Sequence, residues 1–570
     1  MNILEIAQAW MDQDPDPVTR AATAEMIAAG DDAQLQAHFG QRLAFGTAGL
    51  RGAIGPGPNC MNRALVLRVT EAVGHYVPTQ VNAAQERGVV VAFDGRHGSR
   101  QFARDAAFLL RNQGYRVWLF DEVCATPILA YALKSLNAAM AIMVTASHNP
   151  PQDNGYKLYW EDGAQIRPPH DTGVSAVLDG INETPTVDTH AAPDGIESIP
   201  ETVIDAYFAE IDALRVYRRP SSLTVVYTAM HGVGRLAVER ALNAAGYRSV
   251  HSVVEQGDPD PDFPTVSFPN PEEPGAMDLA LALAEEVSAD VVLANDPDAD
   301  RLCVAVPDGE SYRVLSGNEV GILFADELLK HGTYPSQTLV TNSIVSTTQL
   351  EKVARHYGAE FKQTLTGFKW LGHAAAQHEA HGGTSVMGFE EALGYSFGSV
   401  VRDKDGVSAA LLFCDLVARC VESGCSVIDR LGQIENRHGV YLTSQKSLVF
   451  KGAAGQEIMT KMMDALRADP PRSLMDQAVV AGADYQSGIS WRADAEGTTA
   501  LEMPASNVLS FFLADESRLM VRPSGTEPKI KFYFEICEPV MGGDFRSARV
   551  RGAERLEALS QWVMDRYTPE

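Results

Sequence analysis

The pattern that most constrains the fold of this 570-residue chain is a repeated order of strand, polar loop, helix, glycine and second strand. The first copy begins with the apolar run 88–93 and ends with 117–120, and the second runs from 223 to 250. A fainter third copy lies between 338 and 361. This order predicts a parallel β-α-β unit. Three copies therefore predict three related α/β domains in series.

The pattern changes after residue 440, where short strand-like segments surround a helix that ends at Pro470-Pro471. We expect a fourth domain of the mixed α+β kind, because a chain of this length needs several cores. Changes of pattern and a Pro/Asp/Thr-rich segment predict four domains, at residues 1–200, 201–315, 316–439 and 440–570.

Charge and composition exclude several kinds of partner. The formal net charge is −27, so neither a nucleic acid nor an anionic membrane is expected to bind. No apolar run approaches the roughly 18 residues that span a bilayer, and no secretion signal begins the chain. The seven cysteines are scattered without metal-ligand spacing. We therefore expect a reduced cytoplasmic protein, either monomer or dimer.

A first candidate for chemistry is the segment Thr-Ala-Ser-His-Asn-Pro at residues 145–150, which follows a predicted buried strand. Ser147 at the tip of this turn is expected to present its hydroxyl outward. His148 lies beside it, and Lys157 follows closely. The alternative is an ordinary capped loop, since Ser, Asn and Pro are common loop residues.

A glycine-rich segment at residues 45–63 suggests a second site. Glycines allow unusual backbone angles or close approach of a ligand, and Arg51 is the only charged residue between Phe45 and Asn62. An arginine together with free backbone N–H groups suits a phosphate. The alternative is a flexible surface loop.

Three carboxylates alternate along the chain between two apolar runs. Asp296, Asp298 and Asp300 would converge on one hard cation if the turn is tight, and Mg²⁺ prefers such ligands. Arg301 beside them favours a phosphate that bridges the metal and the guanidinium. The alternative is an acidic surface turn, but crowding three carboxylates without a cation is costly.

A carboxylate pair, Glu390 and Glu391, follows a short apolar run. Carboxylates accept hydrogen bonds from hydroxyl groups, which is how sugars are commonly held. The alternative is a helix N-terminus that carries Glu for its dipole. Two lysines add positive charge nearby: Lys369, in the segment Thr366-Gly367-Phe368-Lys369, and Lys404.

The last candidate site is a segment that joins two predicted strands of the fourth domain. A guanidinium, two hydroxyls, a glycine N–H and an ammonium occur within eight residues, as in a phosphate site. The alternative is a hairpin turn with capped ends. The residues concerned are Arg522, Ser524, Gly525, Thr526 and Lys529.

Each cluster falls in a different predicted domain, so a central cleft where the four domains meet explains their distribution. A hydroxyl nucleophile, a divalent cation and a phosphate site indicate phosphoryl transfer. The four motifs, in this order from about Phe45 onward, resemble those of the α-D-phosphohexomutases, the family of phosphoglucomutases and phosphomannomutases. The resemblance implies that Ser147 carries a phosphoryl group. It implies Mg²⁺ on Asp296, Asp298, Asp300 and the Ser147 phosphate.

The resemblance also implies a reaction. Phosphorylated Ser147 would give its phosphoryl group to a sugar monophosphate, and the sugar bisphosphate would turn around and return its other phosphate. Glucose or mannose 1-phosphate and 6-phosphate would interconvert in this way. Glu390 would hold the sugar and residues 522–526 the other phosphate. Lys157, His148 or Arg51 would assist proton transfer, and a lowered pKa is expected for Lys157.

One departure affects the substrate. Many relatives have a serine where this chain has Ala392. Together with the motifs at residues 45–52 and 156–163, this looks closest to the branch that includes phosphoglucomutases with phosphopentomutase activity. Ribose or deoxyribose 1-phosphate and 5-phosphate are therefore alternative substrates. A phosphatase, a non-catalytic sugar-phosphate sensor and a serine hydrolase are competing readings, although the last lacks Gly-x-Ser-x-Gly around Ser147.

Overall fold

The computed structural model describes residues 2–44, 49–189, 194–219, 222–450, 454–524 and 529–568. Within them, the strands form four β-sheets, each built from one continuous part of the chain. The first three sheets are mixed and packed with helices, and the fourth is antiparallel. The predicted α/β class is confirmed. None of the described helices combines the length and apolarity that crossing a membrane requires.

Three helices precede the first sheet: α1 (Ile3–Met11), α2 (Pro17–Ala29) and α3 (Asp32–Phe39). The sheet contains β1 (Leu50–Ala53), β2 (Val89–Phe93), β3 (Val117–Leu119), β4 (Met140–Val144), β5 (Asp153–Trp160) and β6 (Ile196–Ser198). Its helices are α4 (Arg63–Tyr76), α5 (Ala84–Arg87), α6 (Ser99–Asn112), α7 (Thr126–Ser135), α8 (His170–Asp179) and α9 (Glu201–Ala213), with a 3₁₀ turn at Val77–Thr79.

The strands of the first sheet lie in the order β1-β5-β4-β2-β3-β6. Strands β4, β2, β3 and β6 are parallel, whereas β5 and β1 add an antiparallel edge. Helices cover both faces, so β2 and β4 are buried throughout and read as unbroken apolar runs. Strand β1 contains part of the glycine-rich segment, so the alternative of a flexible surface loop does not describe residues 50–53.

The second sheet contains β7 (Thr224–Thr228), β8 (Ser249–Ser252), β9 (Val291–Ala294), β10 (Cys303–Asp308) and β11 (Ser311–Leu315), in the order β11-β10-β9-β7-β8. Its helices are α10 (Arg235–Ala244) and α11 (Asp278–Val287), with a 3₁₀ turn at Val254–Gln256.

The third sheet contains β12 (Thr338–Ser343), β13 (Glu360–Thr364), β14 (Thr384–Glu390) and β15 (Gly394–Phe397), in the order β13-β12-β14-β15. Its helices are α12 (Gly317–His331), α13 (Gln349–Tyr357), α14 (Phe368–Ala380), α15 (Gly406–Glu422) and α16 (Val427–His438).

The fourth sheet has eight strands: β16 (Val440–Val449), β17 (Ser473–Leu474), β18 (Gln477–Asp484), β19 (Ile489–Arg492), β20 (Thr498–Ala500), β21 (Leu509–Leu513), β22 (Arg518–Pro523) and β23 (Lys529–Glu538). They lie in the order β16-β23-β22-β21-β18-β19-β20, and β17 pairs with β18. Helices α17 (Ala454–Ala468) and α18 (Phe545–Tyr567) complete this α+β unit.

A buried ion pair joins the fourth sheet to the third. Arg518 on β22 donates from Nε to the Glu535 carboxylate of β23 at 2.6 Å, and both side chains are almost fully buried. The Arg518 guanidinium also binds the carbonyl oxygens of Ile344 and Ser346, in the loop that follows β12. The other Glu535 oxygen accepts from the Thr347 hydroxyl at 2.6 Å. This loop is therefore held between two sheets.

Replacing Glu535 with glutamine is expected to lower the free energy of unfolding by about 3–5 kcal/mol, because it leaves the buried Arg518 charge without its anionic partner. Calorimetry of the full chain should show a lowered thermal midpoint. The matched control is Asp494→Asn, which breaks the exposed pair between Arg492 and Asp494 and is expected to leave the midpoint unchanged. Equal shifts for both variants would contradict the assigned role of the buried pair.

Candidate active site

Ser147 lies in the turn after β4, at the sheet edge where the neighbouring parallel strand β2 also ends. Its backbone adopts φ = 54°, a left-handed conformation that is uncommon outside glycine. The hydroxyl is not presented outward as expected from the sequence. Ser147 is only 4% exposed, and its Oγ donates to Oδ2 of Asp296 at 2.8 Å.

A segment of the second domain covers this turn. We call residues 258–276 the covering segment. The Phe268 ring lies 6.2 Å from the His148 ring, and Asp262 pairs with His97 at 2.7 Å. The segment therefore lies against residues on both sides of the Ser147 turn. The sequence signal for this segment is a proline-rich run that contains two phenylalanines, which by itself predicts no contact with Ser147 or His148.

The three predicted metal-ligating carboxylates follow β9 and converge. One oxygen from each of Asp296, Asp298 and Asp300 lies within 4.8 Å of the others, and all three residues are fully buried. The turn is tight because the backbone N–H of Arg301 donates to Asp296 Oδ1 at 3.0 Å. An acidic surface turn is therefore excluded as the description of this segment.

Polar and cationic side chains from the first and third domains contact the carboxylates. Lys157 of β5 donates from Nζ to Oδ2 of Asp298 at 2.6 Å and to Oδ2 of Asp300 at 2.9 Å. Lys404, just before α15, lies 3.2 Å from Asp300. Thr126, at the start of α7, donates its hydroxyl to Asp298 at 2.7 Å and was not anticipated from the sequence. First- and third-domain residues therefore hold the second-domain loop in place.

The electrostatics of this cluster correct the expectation for Lys157. Burial by itself would lower the pKa of Lys157, but Asp298 and Asp300 outweigh burial and raise it. Burial also opposes ionisation of Asp300, yet Lys157 and Lys404 lower the pKa of this carboxyl below its usual value. Burial, with the charges of Asp298 and Asp300, raises the pKa of Asp296 to about 8. Lys157 is therefore a firmly protonated cation in this arrangement.

The donor set fits a hard divalent cation. Oδ1 of Asp298 and Oδ1 of Asp300 are buried without a hydrogen-bond partner among the described residues. Buried carboxylate oxygens of this kind are costly unless a cation or donor meets them. Three carboxylates with room for phosphate oxygens match the preferences of Mg²⁺.

His148 and Arg51 lie beside the serine. The Nδ1 atom of His148 is 3.3 Å from Ser147 Oγ. Burial lowers the pKa of His148 well below its usual value, and the positive charges of Arg301 and Arg51 lower it further. Both effects favour the neutral imidazole. Arg51 lies on β1 opposite Gly155, and its guanidinium makes no hydrogen bond within the described ranges.

The carboxylate pair lies at the end of β14, where Glu390 is the last strand residue rather than part of a loop. One Glu390 oxygen accepts from the backbone N–H of Gly367 at 2.6 Å. Glu391 instead accepts from the hydroxyls of Ser343 and Ser346, at 3.1 and 2.7 Å. Burial and the neighbouring Glu391 raise the pKa of Glu390 to about 7. The Glu390 carboxylate thus accepts fewer hydrogen bonds from the protein than that of Glu391 and has more acceptor sites left for a ligand.

The predicted phosphate site is partly described. Arg522 lies near the end of β22, and the Ser524 N–H donates to the carbonyl of Lys529 at 2.7 Å. Gly525 and Thr526 fall outside the described residues. Lys531, which pairs with Arg522 across β22 and β23, was missed; its signal is the alternation of lysines along the strand. Burial lowers the pKa of Lys531, and the nearby charges of Lys529 and Arg522 lower it further.

A cavity of about 170 Å³ connects this region with the third domain. Arg522, Lys369, Thr366 and Trp370 line it. The Thr366 hydroxyl is buried and unpartnered in the described part of the chain. Two cations and a free hydroxyl donor in one cavity suit a phosphate.

Four domain families match the sequence in order. They are described as phosphoglucomutase/phosphomannomutase alpha/beta/alpha domains I, II and III, which match residues 42–184, 205–309 and 316–434, and a C-terminal domain, which matches 483–545.

Several proteins of similar sequence align with most of the chain. A phosphopentomutase of Homo sapiens is 35% identical over 584 aligned residues, covering 98% of this chain and 95% of the relative. A probable phosphomannomutase of Haemophilus influenzae is 37% identical, covering 83% and 93%. The open form of parafusin, a phosphoglucomutase from Paramecium, has a TM-score of 0.67 and 18% identity, covering 93% and 96%; this likeness concerns the fold alone.

Proposed function

Because this chain belongs to the phosphoglucomutase/phosphomannomutase family of phosphosugar mutases, we propose that it interconverts the 1-phosphate and 6-phosphate of glucose or mannose through a phosphoserine. The observation that carries the proposal is the contact of Ser147 Oγ with Asp296, inside a buried cluster of three carboxylates and several cations. A hydroxyl in such a setting is placed for phosphoryl transfer, which depends on positioning and charge neutralisation.

In the forward half of the reaction, the bond between phosphorus and Ser147 Oγ breaks as the free hydroxyl oxygen of the sugar bonds to phosphorus. The sugar hydroxyl proton must leave and Ser147 Oγ must gain a proton; His148, whose Nδ1 atom is 3.3 Å from Oγ, would accept the first and pass it to Oγ. Mg²⁺, held by Asp296, Asp298, Asp300 and the Ser147 phosphate, would neutralise charge on the phosphoryl group. Arg51 and Arg301 add positive charge on the same side. The reverse half returns the other phosphate of the bisphosphate to Ser147.

The remaining residues are proposed to hold the substrate. Glu390 would accept hydrogen bonds from sugar hydroxyls, with Glu391 and Gly367 supporting it and Lys404 linking this loop to the carboxylates. Lys369 and Arg522 would bind the phosphate that is not reacting, because both line the same cavity. Ser524, Gly525, Thr526 and Lys529 would complete that phosphate site. A sugar bisphosphate would then serve as both intermediate and activator.

A phosphopentomutase activity is the second candidate. The human relative with that name matches 98% of this chain, and Ala392 provides no hydroxyl in the sugar loop. Ribose or deoxyribose 1-phosphate would then be converted to the 5-phosphate at the same cleft.

The expected result of a direct assay is conversion of at least one sugar 1-phosphate to its terminal phosphate isomer without net release of inorganic phosphate. Glucose, mannose, ribose and deoxyribose 1-phosphates should be compared at equal concentration, with Mg²⁺ and a trace of the matching bisphosphate. Stoichiometric release of inorganic phosphate would instead identify a phosphatase. Absence of turnover for all four sugars would contradict a mutase and favour a sensor.

A further inference from the structure

Arg96 lies in the loop between β2 and α6 and is 4% exposed. Its guanidinium contacts four backbone carbonyls of the turn that carries Ser147. Nη1 donates to the carbonyl oxygens of Pro150 at 2.8 Å and Asp153 at 3.2 Å. Nη2 donates to the carbonyl of Ser147 at 2.6 Å and to that of Asn149. One side chain therefore gathers the backbone of residues 147–153 around a single point.

The guanidinium is itself fixed by its neighbours. Asp94 directly follows β2, and its Oδ2 atom lies 3.3 Å from Arg96 Nε. The Oδ1 atom of Asp94 accepts hydrogen bonds from the backbone N–H of Arg96 and from the Ser99 hydroxyl. The backbone N–H of Asp94 donates to the carbonyl of Val144, the last residue of β4. Phe263 of the covering segment lies over the guanidinium, 4.9 Å from its carbon. Arg96 is thus held between the nucleophile turn and the second domain.

The conformation of the turn requires such a donor. Ser147 has a left-handed backbone, which a residue other than glycine adopts only where its surroundings enforce it. Four carbonyl oxygens that face one point repel each other unless N–H donors lie between them. Only arginine offers five N–H groups in a rigid planar fork, whereas the lysine ammonium is a compact charge that cannot reach four separate oxygens.

We propose that Arg96 is a positioning residue for phosphoryl transfer, which holds the 147–153 turn so that Ser147 Oγ stays directed at the carboxylate cluster. This role rests on the proposed function of Ser147. The guanidinium also places a buried positive charge next to the residue that carries the phosphoryl group, where it would offset part of the added negative charge. The Arg96 guanidinium donates to the backbone of the turn rather than to the Ser147 hydroxyl. Its loss is therefore expected to affect kcat more than KM.

The test compares Arg96→Lys with the wild-type full chain. Two quantities are measured: kcat and KM for the fastest sugar 1-phosphate with Mg²⁺, and the single-turnover rate at which Ser147 is phosphorylated by the matching sugar bisphosphate, followed by intact mass. We expect both kcat and the single-turnover rate to fall about a hundredfold, because a small misplacement of a reacting group has this effect. KM should stay close to the wild-type value. The thermal midpoint is expected to fall, because lysine leaves buried carbonyl oxygens without donors, so the rates are measured below the unfolding transition of the variant.

The matched control is Arg100→Lys. Arg100 is exposed, and its guanidinium binds the Asp121 carbonyl and Glu122 on the surface. This variant is expected to keep wild-type rates. A second variant, Arg96→Ala, tests the chemistry of the group: propylguanidinium should restore part of the lost transfer rate, whereas propylammonium at the same concentration should not.

Three results would overturn the proposal. One is an Arg96→Lys enzyme with wild-type transfer rates, and another is a loss confined to KM. The third is an alanine variant that both added cations rescue equally. If the wild-type protein never acquires a phosphoryl group, the proposed function fails and the role of Arg96 fails with it. A phosphorylated wild type with an equally fast Arg96→Lys variant would overturn the role of Arg96 alone.

Discussion

Replacement of Ser147 by alanine is expected to lower kcat for the preferred sugar 1-phosphate by roughly 10⁴-fold or more, because a covalent mechanism loses nearly all turnover with its nucleophile. The side chain is buried, and its hydroxyl donates to the Asp296 carboxylate at 2.8 Å. The fold should therefore survive the loss of one hydroxyl. Turnover is measured with Mg²⁺ and the sugar bisphosphate, beside the thermal midpoint of each protein.

Ser423→Ala is the matched control, because Ser423 is exposed just after α15 and lies outside the proposed site. Its kcat should equal that of the wild type. An Ser147→Ala enzyme that keeps even a tenth of the wild-type kcat would show that Ser147 does not carry the phosphoryl group.

Replacement of Asp298 by asparagine is expected to lower kcat by about 10²- to 10⁴-fold, since a divalent cation supplies several kcal/mol of charge stabilisation in phosphoryl transfer. Asp298 contributes a buried Oδ1 that lacks a partner among the described residues and a charge that balances Lys157 at 2.6 Å. Asparagine has a similar shape but neither the second anionic oxygen nor the charge. Removal of divalent cations with a chelator should inactivate the wild type to a similar extent.

Metal binding can also be followed without turnover. Mg²⁺ should raise the thermal midpoint of the wild-type chain and leave that of Asp298→Asn nearly unchanged, because a bound ligand stabilises only the state that binds it. Glu310→Gln, a carboxyl change on the exposed β10–β11 hairpin, serves as the control and should respond like the wild type. A full Mg²⁺ response in Asp298→Asn would place the metal elsewhere.

The parts of the site that could be predicted from sequence are those in which the chemistry is local. Asp296, Asp298 and Asp300 alternate within five residues after an apolar strand, so a tight turn suffices to bring them together. The three α/β units were also accessible, because each repeats the same short order of strand, helix and glycine. Central strands such as β2 and β4 were accessible as well, because burial on both faces of the sheet makes them unbroken apolar runs.

The parts that escaped prediction depend on contacts between distant residues. Thr126 meets Asp298 across 172 positions of the chain, and nothing near a threonine at a helix start indicates such a partner. Arg96 lies in a loop that looked merely polar, yet it is buried against carbonyls more than 50 residues away. The pKa of Lys157 was expected to fall, but it rises because two aspartates from another domain contact the ammonium.

The central claim is that Ser147 carries a phosphoryl group between the two positions of one sugar, and intact mass spectrometry with peptide mapping tests it most directly. The wild-type chain, first treated with a phosphatase, is mixed with the sugar bisphosphate and then with the sugar monophosphate. The account predicts a gain of one phosphoryl mass located on Ser147, followed by its loss to the sugar. Turnover by a protein that never gains this mass, or that gains it on another residue, would contradict the claim.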